Sequence, residues 1–323
     1  MSRLFLRALA LIAVFGSLLP SLGRANAQAY PDRRITLAVG FPAGSGADIL
    51  ARYYATKLAD DLKQTVIIEN KPGAFGMIAA QGVKQSKPDG YTLLFSPSAG
   101  MSGGKFLYAN LPYDPQKDFI IAAPLLDVTF ALVVSPNSPA KSVSELTALL
   151  KSKTHAKYGT ASSTAIAAAQ VYKNLMGFEA QQVQYKQTSD ALGDLADGML
   201  DFMFIDGVVA ATQHKAGKIR LLATTNARMD SAPDVPTMRE AGVGNYSFVV
   251  WWMIMTPAGT PADIVNKLNA VFTKIAEMPE TKTFLNNVAS QPLTGTPAEM
   301  VVKLEKDIET WADIAKGGGI VPQ

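Results

Sequence analysis

Residues 35–48 read Ile35-Thr36-Leu37-Ala38-Val39-Gly40-Phe41-Pro42-Ala43-Gly44-Ser45-Gly46-Ala47-Asp48, an apolar run followed by a glycine-containing loop. The run Ile35 to Val39 is bounded by glycine and proline and is typical of a buried strand. A helix is predicted from about Gly46 to Leu62, because apolar residues recur every four positions along it. A strand, a short loop and a helix in this order form the unit from which α/β folds are built.

The same alternation continues along the chain. Further strands are predicted at 65–68, 91–95, 132–134, 157–160, 183–185, 202–205, 220–224 and 248–255. Helices are predicted at about 76–85, 142–151 and 165–176, and two more open at Thr260 and Thr296. Strands that alternate with helices imply parallel pairing through right-handed crossovers. The predicted fold class is α/β with two lobes, each a mainly parallel sheet flanked by helices.

The two predicted lobes are discontinuous in sequence. The chain is expected to cross between them near Asp127 and to return around residues 246–251. Residues 30–126 together with 248–323 then form the first lobe, and residues 127–247 form the second. A cleft between two such lobes is a common place for a ligand.

The first 29 residues have the pattern of a secretory signal peptide. Arg3 and Arg7 precede an apolar run from Ala8 to Leu19, and Ala27-Gln28-Ala29 is a small-residue cleavage site. The run is too short to span a bilayer. We therefore predict export to the periplasm, with no membrane insertion after cleavage; an N-terminal anchor or a buried helix is the alternative.

The charge balance argues against a polyanion as partner. Removing Arg3, Arg7 and Arg24 from the 30 basic residues leaves 27, which equals the number of acidic residues. Nucleic-acid binding through net charge is therefore excluded for the remaining chain. The absence of cysteine excludes a disulfide, a thiolate nucleophile and a sulfur metal site, and it fits a Gram-negative periplasm.

No catalytic constellation is recognisable. His155 and His214 are predicted in exposed loops, and no nucleophile elbow, zinc-protease or Walker motif occurs. Gly44 and Gly46 partly match a dinucleotide fingerprint, but Ile49 occupies the position of its third glycine. We predict no catalytic residue, metal or cofactor, while a pair of catalytic carboxylates stays open because such pairs meet only in space.

The loop before the first helix suits an anion. Ser45 and Asp48 have the spacing of a capping box, and the free N–H groups of a helix start attract negative charge. Gly44 and Gly46 would let a ligand approach the backbone. The alternative is that the two glycines only make a tight turn and Ser45 is only a cap.

A second hydroxyl-rich turn lies in the other predicted lobe. It reads Thr160-Ala161-Ser162-Ser163-Thr164 and precedes a helix. Two helix starts that face one cleft would clamp the two ends of a dicarboxylate, whereas simple capping is the alternative. Two further questions stay open: whether Trp251 and Trp252 line a pocket or pack in the core, and whether Lys186 reaches the cleft.

Several short motifs, taken together and in order, resemble those of the Bug-type periplasmic solute-binding proteins of tripartite tricarboxylate transporters. They cover essentially the whole chain after residue 29. The motifs are Tyr30-Pro31 with Arg34-Ile35, Phe41 to Asp48, Glu69-Asn70-Lys71-Pro72-Gly73-Ala74, Pro88-Asp89-Gly90-Tyr91-Thr92-Leu93, Leu111-Pro112-Tyr113-Asp114-Pro115 with Asp118-Phe119, Asp234-Val235-Pro236-Thr237 with Glu240-Ala241-Gly242, and Pro257-Ala258-Gly259-Thr260-Pro261.

The resemblance implies a Venus-flytrap fold and a set of ligand-binding residues. The residues that carry over from the family loops, together with the second turn, are Phe41, Ala43, Gly44, Ser45, Asp48, Ser96, Ser98, Thr160, Ala161, Ser162, Ser163 and Asp206. The second turn departs from the family, because it is shorter and no histidine follows it. Ser45 also replaces a glycine, which adds a hydroxyl group to the first loop.

The resemblance further implies a monomeric receptor that captures a small organic acid and delivers it to membrane transporter subunits. The acid is expected to be a di- or tricarboxylate or an aromatic carboxylate. Two alternatives stay open: an exported hydrolase acting on carboxylates, and a sensor protein that presents the loaded form to a membrane partner.

Overall fold

The computed structural model describes residues 30–244, 246, 249–287, 290–317 and 322. The predicted signal peptide, residues 1–29, lies outside the described residues. Residues 33–323 form one compact unit, and the separate first unit is described only at residues 30–32. Within the described part of the chain, no helix is both long enough and apolar enough to cross a bilayer.

Eleven strands are found among the described residues. They are β1 (Ile35–Val39), β2 (Val66–Asn70), β3 (Thr92–Pro97), β4 (Phe119–Val128), β5 (Phe130–Val134), β6 (Lys157–Thr160), β7 (Gln181–Gln184), β8 (Phe202–Asp206), β9 (Arg220–Thr224), β10 (Val250–Pro257) and β11 (Gln291–Pro292).

Ten α-helices alternate with these strands in the described ranges. They are α1 (Gly46–Leu62), α2 (Met77–Lys84), α3 (Ser98–Leu107), α4 (Val143–Ser152), α5 (Ser163–Met176), α6 (Thr188–Ala196), α7 (Gly207–Lys215), α8 (Ala262–Glu277), α9 (Pro279–Asn286) and α10 (Pro297–Gly317). A single 3₁₀ turn, Ala74–Gly76, precedes α2.

The strands form two separate sheets. The first sheet has the order β11-β4-β10-β3-β1-β2, and the second has the order β7-β6-β8-β5-β9. β1 pairs in parallel with β2 and β3, and β6 pairs in parallel with β7 and β8. The α/β fold class is confirmed by two sheets that alternate with helices along the chain.

The sheets are mixed, whereas the sequence predicted mainly parallel ones. β10 runs antiparallel to both of its neighbours in the first sheet, and β5 does the same in the second. The reason lies in how the chain passes between the sheets. Thr129 alone separates β4 from β5, so one extended segment continues directly from the first sheet into the second. The lobe boundaries near residues 127 and 247 stay predictions.

Two apolar clusters hold the sheets and helices together. In the first, alternate residues of β10, Trp251, Met253 and Met255, pack with Leu94 of β3 and Leu304 of α10. The second joins alternate residues of β5 and β8 to α6 and α7. Alternation is expected because successive side chains of a strand point to opposite faces. The opposite face of β10 is also buried, so this central strand is covered on both sides.

The strand-to-helix turns bring the two sheets to one place. β1 leads into α1, β6 into α5 and β8 into α7. Ligands of open α/β sheets usually lie outside the carboxyl ends of the strands. These three turns are therefore the structural basis of the candidate site.

Candidate ligand-binding site

The first turn, residues 40–48, is fixed by a serine cap and an aspartate. Ser45 Oγ accepts a hydrogen bond from the Asp48 N–H at 3.3 Å, as the capping box predicts. The Asp48 carboxylate reaches back one residue further than in a standard box, because its Oδ2 accepts from the Gly44 N–H at 2.9 Å. The first N–H groups of α1 have no acceptor within the helix, which leaves them for a ligand.

Asp48 itself is buried and fully engaged. Besides the Gly44 N–H, its carboxylate accepts from Arg52 Nε at 2.8 Å and from Asn70 Nδ2 at 2.9 Å. Burial alone would raise the pKa of Asp48, but the hydrogen bonds from Arg52, Gly44 and Asn70 outweigh it and lower the pKa. Asp48 therefore holds the first turn in place as a carboxylate.

Close packing explains two glycines of this turn. A methyl group on Gly40 would stand 2.4 Å from the Gly76 Cα atom. A methyl group on Gly46 would stand 2.0 Å from Asp206 Oδ1, which belongs to the second sheet. Gly44 differs, since a methyl group there meets no atom within 4 Å although its φ is +79°. Gly46 thus packs too closely against the second sheet to accept a side chain without a shift of Asp206.

The second turn, residues 160–164, is capped more simply. Ser162 Oγ accepts from the Ala165 N–H at 3.2 Å and so caps α5, which is the capping role that the sequence left as the alternative for this turn. Thr160 is fully buried, and its hydroxyl group has no hydrogen-bond partner among the described residues. Fewer side-chain contacts therefore fix this turn than fix the first.

Asp206 ends β8 and caps α7. Its Oδ1 accepts from the Val209 N–H at 3.0 Å. Loss of water around this carboxylate raises the pKa of Asp206, and hydrogen bonds from the backbone of Asp206, Val208 and Val209 only partly oppose that effect. No lysine or arginine in the described chain forms an ion pair with it.

Three adjoining cavities lie between these turns. The first has a volume of about 60 Å³, the second about 640 Å³ and the third about 270 Å³. All three share Phe41 and Ala161 in their walls, so each is bounded by both turns. The arrangement places one continuous binding region between the two sheets.

Seven of the twelve predicted ligand-binding residues line these cavities. They are Phe41, Ala43, Gly44, Ser45, Ala161, Ser162 and Asp206. The other five lie outside the walls of the three cavities: Asp48, Ser96, Ser98, Thr160 and Ser163. All five of the second group are buried.

The residues outside the cavity walls have structural contacts of their own. Ser98 Oγ accepts from the Trp251 N–H at 3.3 Å, which ties the start of α3 to β10. Ser96 Oγ lies 3.4 Å from the Pro97 carbonyl oxygen, and it is Pro97 that lines the first cavity. Direct ligand contact by these residues stays a prediction.

The wall of the first cavity is largely apolar and includes residues that sequence analysis missed. They are Leu50, Pro97, Val128, Phe130, Met203, Phe204 and Ile205. Trp252 also lines it, with its ring stacked 4.6 Å from that of Phe95 and 5.7 Å from that of Phe41. The Trp252 Nε1–H is buried without an acceptor among the described residues. Within the described chain this donor is therefore unused.

The two adjacent tryptophans have different roles. Trp251 is fully buried, and its Nε1–H donates to Asp307 Oδ2 at 2.6 Å. Because neighbouring residues of a strand face opposite ways, Trp252 then faces the site. From the sequence alone, either tryptophan could line a pocket or pack in the core. Only the position of β10 in the sheet shows which residue has which role.

The histidines lie outside the three cavities. His155 occupies an exposed turn, as predicted. His214 was expected in an exposed loop, but it lies half-buried in the last turn of α7. No group of three or more metal-ligating side chains occurs within the described ranges.

A family model described as "Tripartite tricarboxylate transporter family receptor" matches residues 50–319. The chain belongs to the tripartite tricarboxylate transporter receptor family. BugT from Bordetella pertussis is 30% identical to this receptor over 321 residues, which cover 96% of this chain and 97% of that protein.

Solved structures of other receptors agree with this assignment. Rpa4515 of R. palustris with adipate has a TM-score of 0.86 at 31% identity, and covers 91% of this chain and 100% of that chain. MatC (Rpa3494) from Rhodopseudomonas palustris with bound malate has a TM-score of 0.81 at 29% identity. The match covers 88% of this chain and 100% of the MatC chain. The family is one of solute receptors, and Bug-type naming recurs within it.

Proposed function

We propose that this receptor captures a small organic carboxylate between its two sheets and delivers it to the membrane subunits of a tripartite tricarboxylate transporter. One observation carries the proposal. The starts of α1 and α5, which belong to different sheets, line the same cavity together with an unpaired indole donor. Helix starts offer free N–H groups and a favourable field to an anion.

The polar groups in the first cavity suit a carboxylate held by neutral donors. Ser162 and Thr164 supply hydroxyl groups there and Trp252 supplies an N–H group, whereas the Ser45 hydroxyl already donates to the Pro42 carbonyl oxygen at 2.7 Å. Such donors bind an anion without the strong attraction of a fixed positive charge. The related structures with adipate and malate contain dicarboxylic acids, which supports this class of ligand for the present chain.

Binding between the sheets would favour the arrangement in which both turns contact the ligand. A ligand shifts such an equilibrium only by its different affinity for the two arrangements. The transporter would then recognise the loaded arrangement, as expected of a monomeric receptor. Residues 1–29 would direct export to the periplasm and be removed after Ala29.

The proposal is tested with the chain from Tyr30 onward. A panel of mono-, di- and tricarboxylates and aromatic acids is screened by thermal shift, because a ligand that binds only the folded state raises the Tm. Selective stabilisation by one class of acid is expected. The matched control is Gly46→Ala, which introduces the clash with Asp206 and should lose the shift.

The released ligand identifies the type of activity. After denaturation, mass spectrometry of the supernatant should recover the bound acid chemically unchanged. Recovery of a cleaved product would instead favour the hydrolase alternative. Absence of any shift, with no acid in the supernatant, would contradict carboxylate capture.

A further inference from the structure

Three charged side chains line the three cavities. Asp206 lines the first, Lys186 and Asp190 line the second, and Lys186 lines the third. Lys186 is thus the only cationic residue in these walls, as far as the described residues show. The third cavity contains Lys186 and no acidic residue, so its fixed charge is positive.

The ammonium group of Lys186 is not neutralised by the protein. No carboxylate of the described chain lies within 4.0 Å of it, whereas Lys173 of the same lobe pairs with Glu179 at 3.5 Å. Asp190, the nearest acid in sequence, accepts from Gln187 Nε2 at 2.9 Å instead. An anion in the third cavity would therefore meet an unpaired positive charge.

The backbone around Lys186 is well anchored. The Tyr185 N–H donates to the Thr160 carbonyl oxygen at 2.8 Å, and the Tyr185 hydroxyl donates to Asp194 Oδ2 at 2.5 Å. These contacts attach the residue before Lys186 to β6 and to α6. Lys186 consequently stays next to the second turn even though its side chain is exposed.

The third cavity joins Lys186 to the start of α1. Ala43, Gly44 and Ser45 form one part of its wall, and Lys186 forms another. A ligand that fills this cavity therefore touches both an anion-attracting helix start and a cation. Two separate attractions for negative charge in one cavity match an acid with two anionic groups.

A strained segment contributes to the wall of the neighbouring second cavity. Gly73, Ala74, Phe75 and Gly76 have φ values of +137°, +44°, +52° and +98°. Positive φ is costly for alanine and phenylalanine, and such strain is concentrated at functional sites. Gly73, Ala74 and Phe75 of this segment line the second cavity together with Lys186.

We infer that Lys186 determines specificity for dicarboxylates by pairing with the second carboxylate of the ligand. The first carboxylate lies at the start of α1, and the second lies at Lys186 in the third cavity. This inference rests on the proposed function, because it assumes that an acid binds between the sheets. It adds the residue that distinguishes acids with two charges from acids with one.

The test compares matched acids by isothermal titration calorimetry. Succinate is paired with butyrate, and adipate is paired with hexanoate, so each pair differs only in the second carboxylate. Lys186→Met should weaken binding of the dicarboxylates about tenfold, within the range for a hydrogen bond to a charged group. The same substitution should leave the monocarboxylates unchanged, and Lys186→Arg should retain most of the dicarboxylate affinity.

Lys218→Met is the matched control, since Lys218 is exposed and lies outside the three cavities. It should change neither class of acid. An equal loss for both members of a pair, or no loss for either, would overturn the role of Lys186 while leaving the proposed function intact. Failure of the unmodified protein to bind succinate or adipate would likewise overturn the role of Lys186, whereas the proposed function is decided by the wider panel of acids.

Discussion

The two turns that face each other across the site are built in different ways. The first is held by three hydrogen bonds to the buried Asp48 carboxylate and by the packing of Gly40 against Gly76. The second has a single serine cap and a buried threonine hydroxyl without a partner in the described chain. The first turn is therefore preorganised by more side-chain contacts than the second.

This difference suggests that the two turns have different roles in binding. We expect the first turn to determine whether an acid binds at all, because its backbone donors are fixed before the ligand arrives. We expect the second turn and its neighbour Lys186 to adjust which acid binds. Substitutions at four residues, Gly46, Asp48, Asp206 and Ser162, test this contrast, and the pH is varied as well for Asp48 and Asp206.

The largest effect is expected at Gly46. Gly46→Ala should lower acid affinity on the order of 100-fold, since overpacking costs about 3 kcal/mol at the upper end of its range. Gly198→Ala is the control, because its methyl group meets no atom within 4 Å and Gly198 lies outside the three cavities, so it should affect stability more than binding. Calorimetric titration of both variants measures the difference.

A second substitution shows whether the clash with Asp206 causes the loss of affinity in Gly46→Ala. Adding Asp206→Ala to Gly46→Ala removes the carboxylate that the new methyl group would meet. Partial recovery of affinity is expected, despite the loss of the α7 cap. If the double variant binds no better than Gly46→Ala alone, contact with Asp206 is not the reason for the loss.

Asp48→Ala should have the next largest effect. It leaves the Gly44 N–H and the Arg52 and Asn70 side chains without their acceptor, which should lower the free energy of unfolding by about 3 kcal/mol. Affinity should fall roughly tenfold as the first turn loosens. Urea unfolding and titration measure the two quantities.

The matched control for Asp48 is Glu145 of α4. Ser142 and Glu145 make the same pair of contacts, with the Lys141 N–H donating to Glu145 at 2.7 Å. Glu145→Ala should lower stability and leave affinity unchanged. Equal affinity losses in both variants would show that capping in general, rather than the first turn, controls binding.

The pH dependence of Asp48 has a defined sign. The folded pKa of Asp48 is lowered below that of the unfolded chain, so its contribution to stability is present above the unfolded pKa of about 3.9. That contribution should be lost as the pH falls through the folded pKa. Acid unfolding of Asp48→Asn should therefore show a weaker pH dependence than that of the unmodified protein.

The pH dependence of stability due to Asp206 should be smaller than that due to Asp48 and opposite in sign. Its folded pKa is raised by burial, so the stability it contributes is present below the unfolded pKa and is lost as the pH rises through the folded pKa. A ligand carboxylate nearby would raise that pKa further, so binding should take up a proton. Affinity should then fall by at most about tenfold per pH unit above the pKa.

The other charged groups around Asp206 should add little to this pH dependence. On α1 the nearest pair, Asp48 and Arg52, neutralise each other, and β5 carries no titratable residue. On α7 the charges lie in the last turn, away from the cap. Asp206→Asn should give an affinity that does not change with pH; a steep pH dependence in that variant would assign the proton elsewhere.

The smallest effect is expected at Ser162. Ser162→Ala should lower stability by about 1 kcal/mol through loss of the cap and lower affinity by about threefold. Ser142→Ala removes an equivalent cap from α4, which lies away from the site, and should lower stability alone. A drop in affinity for Ser142→Ala would mean that cap loss acts through the whole fold.

Sequence patterns were most accurate where contacts are local. The bounds of β1 and α1 and the Ser45 cap depend on residues within four positions of each other, and all three were predicted correctly. β4 was missed because Pro124 lies in it, and proline argues against a strand. The pairing of β10 with β4 shifts its register around Pro124, which accommodates the proline in the strand. No local sequence pattern predicts such a shift.

The candidate site was only partly predictable for the same reason. Asp48 was expected to contact the ligand, but its partner Asn70 lies 22 positions away on β2, and that contact turns the carboxylate into the loop. The aromatic wall needs the register of β10, which decides that Trp252 rather than Trp251 faces the site. Distant pairings, not local residue preferences, determine both outcomes.

The position of Trp252 gives this receptor an optical reporter. The chain has three tryptophans, of which Trp251 is buried in the core and Trp311 packs against Gly103. Of the three, only Trp252 lines one of the three cavities described between the two turns. A ligand that reaches its indole should change the fluorescence emission of the unlabelled protein, and Trp252→Phe should silence that signal while the other two rings still emit.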